Sequence, residues 1–169
     1  LFPYTRFFRL YGKSDQALRT LENVTARAPA NKQVLTLLAQ LKLEARDWTG
    51  AQEVADQLNK LENNNKADTT ADQIKAAALS GLNKYSESID LLKSAAENAS
   101  NKQTVLPDLI GTYVRSGHPE TAVSYLETII QNDPTDIQAR VLLGSVYSSM
   151  NEQDLAEQTF KQAADEDNG

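Results

Sequence analysis

The chain has no cysteine, and only one histidine, one tryptophan and one methionine among its 169 residues. Without cysteine there can be no disulfide and no thiolate metal site, although that absence assigns no compartment. No stretch approaches the roughly 20 consecutive apolar residues that span a bilayer, so direct membrane insertion is not expected. Basic charge is also short, with 17 Lys and Arg against 23 Asp and Glu and a net charge of −6. That balance argues against a general nucleic-acid binder, whose affinity rests on neutralising phosphates. The chain opens on Leu1 with no secretory-signal pattern, so it is expected to be a segment of a longer polypeptide.

The motifs of catalysis are missing as well. There is no Cys nucleophile, no G-x-S-x-G elbow, no Gly-rich phosphate loop and no H-E-x-x-H zinc site. His118 stands in a turn signal beside Gly117 and Pro119, without sequence partners that would make it a base or a metal ligand. The acidic tail Asp165-Glu166-Asp167 reads as a solvated helix end. Asn23-Val24-Thr25 and Asn98-Ala99-Ser100 match the glycosylation acceptor pattern, which three positions satisfy easily by chance. The expectation is a protein that is not an enzyme and carries no cofactor and no metal.

What is present is enough apolar material for a core, 40 % of the chain, arranged with a period. Thirty-four residues separate Leu109 from Leu143, Tyr113 from Tyr147, Ala122 from Ala156 and Leu126 from Phe160. The same step of 34 takes Ser88 to Ala122, Leu92 to Leu126 and Ala17 to Ala51. From Ala51 to Ser88 the step is 37, with the extra residues near Asn63-Asn64-Asn65. Pro29 and Pro134 close two units at one phase. A period of this length means stacked repeats, each unable to bury its apolar face alone.

Within each unit apolar residues recur at helical spacing, as in Leu35, Leu38, Ala39 and in Val123, Leu126, Ile130. Turn signals at Gly12-Lys13-Ser14, Arg46-Asp47, Gly81-Leu82-Asn83, Ser116-Gly117 and Met150-Asn151 split each unit into two helices. The pattern predicts helices over 14–28, 32–45, 48–62, 68–81, 85–98, 103–115, 119–131, 136–149 and 152–166, with a short one near 3–10.

Small and large residues recurring together at this period resemble the tetratricopeptide repeat family. The last copy carries Leu143, Gly144, Tyr147, Ala156, Phe160 and Ala163 in the family's order. The copy before it has Leu109, Tyr113, Ala122, Leu126 and Pro134, with Ile110 at the small position. The 32–65 unit keeps Leu38, Ala39 and Ala51 but has Lys42 where an aromatic belongs. The 69–102 unit keeps Ala76 and Ala95, with Lys75 at the Leu position and Ser88 at the Ala position, and is expected to be the loosest packed. The resemblance implies an all-α right-handed superhelical solenoid over residues 1–169, with a truncated repeat at 1–31 and full repeats at 32–65, 69–102, 103–136 and 137–169. Phe2, Tyr4, Phe7, Phe8 and Tyr11 read as core of the truncated repeat, rather than as a ligand-binding aromatic cage.

In the family the first helix of each hairpin lines a concave groove. Its ligand-facing positions fall here on Gln33, Thr36, Gln40, Leu43 and Glu44, then on Thr70, Gln73, Ala77, Ser80 and Gly81. They continue with Thr104, Pro107, Gly111, Val114 and Arg115, and with Gln138, Val141, Ser145, Ser148 and Ser149. These side chains are polar but scarcely charged, which suits an extended peptide backbone. The family's carboxylate clamp needs Lys and Asn at the fifth and ninth positions of one repeat, and no repeat here has them. The expected function is a protein–protein interaction module holding a peptide or partner protein; the alternative is a structural spacer with no dedicated ligand.

Residues 1–31 hold five basic groups (Arg6, Arg9, Lys13, Arg19, Arg27) against the acidic Asp15 and Glu22, so the opposite ends differ in sign. This would suit a homo-oligomer formed through the end repeats, but solvated helix faces are the plainer reading and the one preferred. The phrases NKQVLTLLAQLKLEARDWTGAQ, LPDLIGTYVRSGHPETAVSYLETII and ARVLLGSVYSSMNEQDLAEQTFKQA are similar to the long tetratricopeptide lipoproteins of bacterial exosortase (PEP-CTERM) and exopolysaccharide systems. That likeness implies an upstream lipid anchor, a periplasmic scaffold and a location in the cell envelope of a Gram-negative bacterium, against a cytoplasmic alternative.

Overall fold

A computed structural model describes residues 14–61, 68–100 and 102–167. Among them are nine α-helices, one 3-10 turn and no strand. The chain divides into two compact units, residues 1–105 and 106–169. Unit one holds α1 (Ser14–Arg27), α2 (Lys32–Glu44), α3 (Trp48–Leu61), α4 (Thr70–Gly81), α5 (Tyr85–Asn98) and the 3-10 turn Lys102–Thr104. Unit two holds α6 (Leu106–Arg115), α7 (Pro119–Asn132), α8 (Ile137–Ser149) and α9 (Gln153–Asp167). Consecutive helices pack against each other within each unit, and the first helices of successive hairpins also touch, α2 with α4 and α6 with α8.

The expected helices are observed with small shifts at their ends. The larger one is at α6, which begins at Leu106 rather than at 103. A helix from 103 would require the Pro107 N–H to bond the Gln103 carbonyl. Proline has no N–H, and its ring collides with that oxygen, so the helix starts beside Pro107 and the preceding residues close a 3-10 turn instead. The aromatic run from Phe2 to Tyr11, the short helix near 3–10 and the extra residues at Asn63-Asn64-Asn65 lie outside the described residues.

Each complete hairpin turns on one left-handed residue. Arg46, Asn83, Gly117 and Asn151 have φ of 59°, 61°, 81° and 65°, and they are separated by the same 37, 34 and 34 residues as the sequence repeat. At each, two hydrogen bonds close the helix in the Schellman pattern. The N–H groups of Asp47, Lys84, His118 and Glu152 reach back to the carbonyls of Lys42, Leu79, Tyr113 and Tyr147 at 2.8–3.0 Å. Those of Arg46, Asn83, Gly117 and Asn151 bond Leu43, Ser80, Val114 and Ser148, each at 3.1 Å. After the first of these turns, Asp47 Oδ1 takes the Gly50 N–H at 2.9 Å, and between hairpins Asn31 Oδ1 and Asp136 Oδ1 cap the first helices, taking the N–H groups of Val34 at 3.1 Å and Ala139 at 2.9 Å.

The core follows the same register. Ala17, Ala51, Ser88, Ala122 and Ala156, the small residues of successive second helices, are all buried. In unit one the core continues through Leu35, Leu38, Ala39, Val54, Ala55, Leu58, Ala71 and Ile74. Ser88 does not loosen its hairpin as expected. Its hydroxyl donates to the Ala76 carbonyl at 2.8 Å, so a fully buried serine keeps the close approach of an alanine and satisfies its own polar atom. Lys75 lies half-exposed and pairs with Asp56 of α3 at 2.7 Å. Two glycines serve as contact surfaces: a Cβ on Gly81 would meet the Trp48 indole at 2.5–2.7 Å, and one on Gly144 would meet the Phe160 ring at 2.6–2.9 Å.

Three substitutions test the register. Ala156→Leu should overpack the α8–α9 contact and cost about 1–3 kcal/mol, read as a lower midpoint in urea; a neutral effect would mean that the helix phase is wrong. At the turns, Gly117→Ala should destabilise by about 1–2 kcal/mol, while Arg46→Gly should be neutral or stabilising, because only a β-carbon is penalised in the left-handed region.

Candidate functional site

The polar braces across helix junctions show how the register is locked. Lys42 Nζ of α2 lies 2.8 Å from Asp47 and 3.3 Å from Glu22 of α1. Its side chain is only 15 % exposed, the aliphatic stem lying inward and the ammonium held at the edge. At the equivalent junction of unit two, Tyr147 of α8 donates to Glu127 of α7 at 3.4 Å. Tyr147 and Glu127 occupy the same repeat positions as Lys42 and Glu22, so the lysine replaces an aromatic at one brace and keeps its polar reach.

In unit two, the first helices α6 and α8 enclose a cleft of about 290 Å³. Six of the residues expected to face a ligand line it: Pro107, Gly111, Val114, Arg115, Ser145 and Ser149. Its remaining walls are Ile110, Leu142 and Val146. Carrying ligand-facing positions over one helix stripe at a time misses these apolar residues. The i, i+4 pairs Ile110–Val114 and Leu142–Val146 are the signal that could have found them. Gly111 leaves the floor open, and Arg115 folds back over it, with Nη1 lying 3.3 Å from where a Cβ would stand. Arg115 Nη2 donates to Thr112 Oγ1 at 3.2 Å. The cleft therefore offers an apolar floor, two serine hydroxyls and one guanidinium. Gln138 is half-buried beyond it, and Val141 and Ser148 are exposed outside its walls.

Unit one places its expected residues differently. Gln33, Glu44 and Ala77 are exposed, and Gln40 and Thr70 are half-buried. Thr36 is buried, its hydroxyl donating to the Lys32 carbonyl at 2.9 Å, and Ser80 is buried too. Leu43 packs against the core, and Gly81 lies under Trp48. Gln73 donates to the carbonyl of Thr104, itself exposed in the 3-10 turn, at 2.9 Å. Thr36, Leu43 and Ser80 thus turn inward, because the helix stripe that carries them also packs the neighbouring hairpin.

Among the described residues no group of three or more His, Asp or Glu is arranged to hold a metal, and no helix is long and apolar enough to cross a membrane. His118 is exposed, with Nδ1 3.1 Å from the Ser116 hydroxyl.

A register of paired helices with one left-handed turn per 34 residues defines a helical-hairpin repeat protein. The tetratricopeptide repeat model matches residues 9–77 and 113–169, and the chain belongs to that family. Members of the family are in general protein–protein interaction modules. Comparison with curated protein sequences gives no match. Among solved structures, the chain is similar to MamA (41-end) from Desulfovibrio magneticus RS-1, at 18 % identity and a TM-score of 0.62, covering 98 % of this chain and 92 % of that one. It is similar to a thermophilic tetratricopeptide protein of Thermus thermophilus, at 18 % identity and a TM-score of 0.68 over 96 % of this chain and 87 % of that one. A tetratricopeptide protein of Parabacteroides merdae gives 16 % identity and 0.71 over 94 % of this chain and 60 % of that one. At these identities the likeness is one of fold.

The Lys42 brace carries a pH signature. Its hydrogen bond to Asp47 raises the lysine above its ordinary value of 10.5 against the cost of burial. The same bond, then the Gly50 N–H, lowers Asp47 below 3.8. The carboxylate's contribution is present above pH 3.8 and lost as pH falls through its depressed folded value; the lysine's is present below 10.5 and lost as pH rises through its raised one. Asp47 is half-exposed, so solvent screening holds each pair to about 0.2–1 kcal/mol. Lys42→Met should remove the lysine's alkaline loss and make the acid loss shallower, as read by thermal midpoints across pH.

Proposed function

We propose that the α6–α8 cleft of unit two binds an extended peptide segment of a protein partner. The cleft lined by Pro107, Gly111, Val114, Arg115, Ser145 and Ser149 carries this reading. Apolar side chains of the peptide lie on Ile110, Leu142 and Val146. Its backbone N–H groups meet the Ser145 and Ser149 hydroxyl oxygens, whose own protons go to the Val141 and Val146 carbonyls. Arg115 supports a preference for an acidic residue or carboxylate at one end, by a charge-assisted contact rather than by the family's two-residue clamp. The likeness of three phrases to exosortase-system lipoproteins adds a setting: a scaffold in a bacterial cell envelope, with the partner among envelope proteins.

A second reading is favoured by Phe160. Its counterpart Leu126 is fully buried, and Leu92 and Ala55 at the same phase are buried too, whereas Phe160 is 39 % exposed. Leu155 on the same helix is also exposed. An apolar surface at a position that is otherwise covered suits stacking against another helix, and hence a spacer or self-associating segment.

One pair of experiments separates the two. The chain is used to capture partners from the envelope of its own cells, with Ser145→Trp beside the wild type. Ser145 is exposed, so the variant should keep its thermal midpoint while the bulky ring fills the cleft and binding falls about tenfold or more. Binding unchanged by Ser145→Trp would reject the cleft. Sedimentation across a hundred-fold concentration range tests the stacking reading: Phe160→Ser should reduce any association, and a strict wild-type monomer would remove that reading.

A further inference from the structure

A second cleft lies in unit one, on the other side of the first helix from the expected groove. Successive helix residues are about 100° apart, so Leu38 and Lys42, which line the cleft, point away from Gln40. The cleft measures about 380 Å³ and runs between the second helices α1 and α3, over α2. Three features of it go together. Its apolar lining is Leu38 and Val54, which are buried, with Ala26 and Pro29 exposed at its edge. Its carboxylates are Glu22 and Glu53; Glu22 meets Lys42, whereas Glu53, among the described residues, has no hydrogen-bond or ion-pair partner. Finally, Thr25 is among its lining residues, and its hydroxyl is buried with no hydrogen-bond partner among the described residues.

The repeat register explains why there is space. Where unit two places Tyr113 and Tyr147, unit one has Lys42, whose ammonium is drawn to Asp47 and Glu22 instead of filling the space with a ring. Gly50 leaves room for that ion pair, since a Cβ there would stand 2.2 Å from Asp47 Oδ2 and 2.8 Å from the Lys42 ammonium. A buried orphan hydroxyl is a penalty that an occupant supplying a partner would recover.

We propose that this cleft receives an arginine side chain from a basic segment of a protein partner. The aliphatic stem covers Leu38 and Val54, as long cationic side chains do on apolar surface. The guanidinium presents five donors in a planar fork, enough for the Glu53 carboxylate and the Thr25 hydroxyl together. The positive charge already in the cleft is neutralised by Asp47 and Glu22, so Glu53 is left to set the sign. This assignment is independent of the α6–α8 cleft, and the two can fail separately.

The test is amide chemical-shift mapping on the full chain, titrated with the blocked peptide acetyl-Ala-Arg-Ala-amide and with its citrulline counterpart, which keeps the shape and loses the charge. The arginine peptide should give saturable shifts at Thr25, Glu53 and Val54, and the citrulline peptide should bind roughly tenfold more weakly. Glu53→Gln should weaken the arginine peptide about five- to tenfold. Lys42→Tyr should fill the cleft as the other repeats do, abolishing binding with an unchanged or higher thermal midpoint. Thr25→Val should stabilise the free chain and weaken the peptide. Ser145→Trp should leave the titration unchanged. Equal binding of the citrulline peptide, binding that survives Lys42→Tyr, or an identical shift map from spermine would overturn the proposal.

Discussion

The close approach of two helix backbones within each hairpin is the constraint on which the rest depends. Ala51, Ser88, Ala122 and Ala156 are buried at one phase of the repeat, and a larger side chain there would hold the pair apart. Ser88 measures the gap directly: its hydroxyl reaches a carbonyl of the facing helix at 2.8 Å, a distance open only to a side chain one atom longer than alanine. Once the two helices touch, their remaining apolar residues have nowhere to go but the flanks, where the next hairpin must cover them. Repetition is therefore a consequence of the contact.

The turn makes the contact repeatable. A left-handed residue followed by the two Schellman bonds fixes where one helix ends and at what angle the next begins. The carbonyl that closes the longer of those bonds belongs to Lys42, Leu79, Tyr113 or Tyr147. At two of these positions the side chain reaches the preceding second helix, where Lys42 meets Glu22 and Tyr147 meets Glu127. Turn geometry and junction bracing are thus carried by one residue, its backbone serving the first and its side chain the second. That division lets the side chain vary: a lysine braces as well as a tyrosine, provided an acid faces it.

Much of this is legible in the sequence. The helices and turns can be read because period, small residues and left-handed turn formers agree, with Asn83, Gly117 and Asn151 marking the turns in residue type as well as in phase. Arg46 is not a left-handed turn former by type; the Arg46-Asp47 pair marks that turn through its place between two helical patterns. The groove is half legible. Positions on an exposed stripe can be carried from repeat to repeat, but Thr36, Leu43 and Ser80 show that a stripe bounded by two neighbours turns inward where those neighbours are large. The acidic cleft of unit one is not legible at all. Lys42 stands out as a misfit in the repeat, yet the space it leaves depends on the direction its ammonium takes, which is set by Asp47 and Glu22 from two other segments.

A departure from a repeat pattern therefore has two meanings, and packing decides between them. At Ser88 the departure is absorbed: the hydroxyl finds a carbonyl, no space opens, and the contact remains as tight as with alanine. At Lys42 it is not absorbed, because a thin stem whose ammonium is held at the edge by its ion partners cannot also fill the volume of a ring. The first kind of change is neutral to partners. The second produces a surface with a shape and a charge of its own. In unit one that surface has acids at its rim, whereas the cleft of unit two carries the Arg115 cation. Two surfaces of opposite sign on a shared backbone pattern can recognise different segments without altering the contacts that hold the hairpins together. Specificity resides where the side chain is released from the core, and stability resides where it is not.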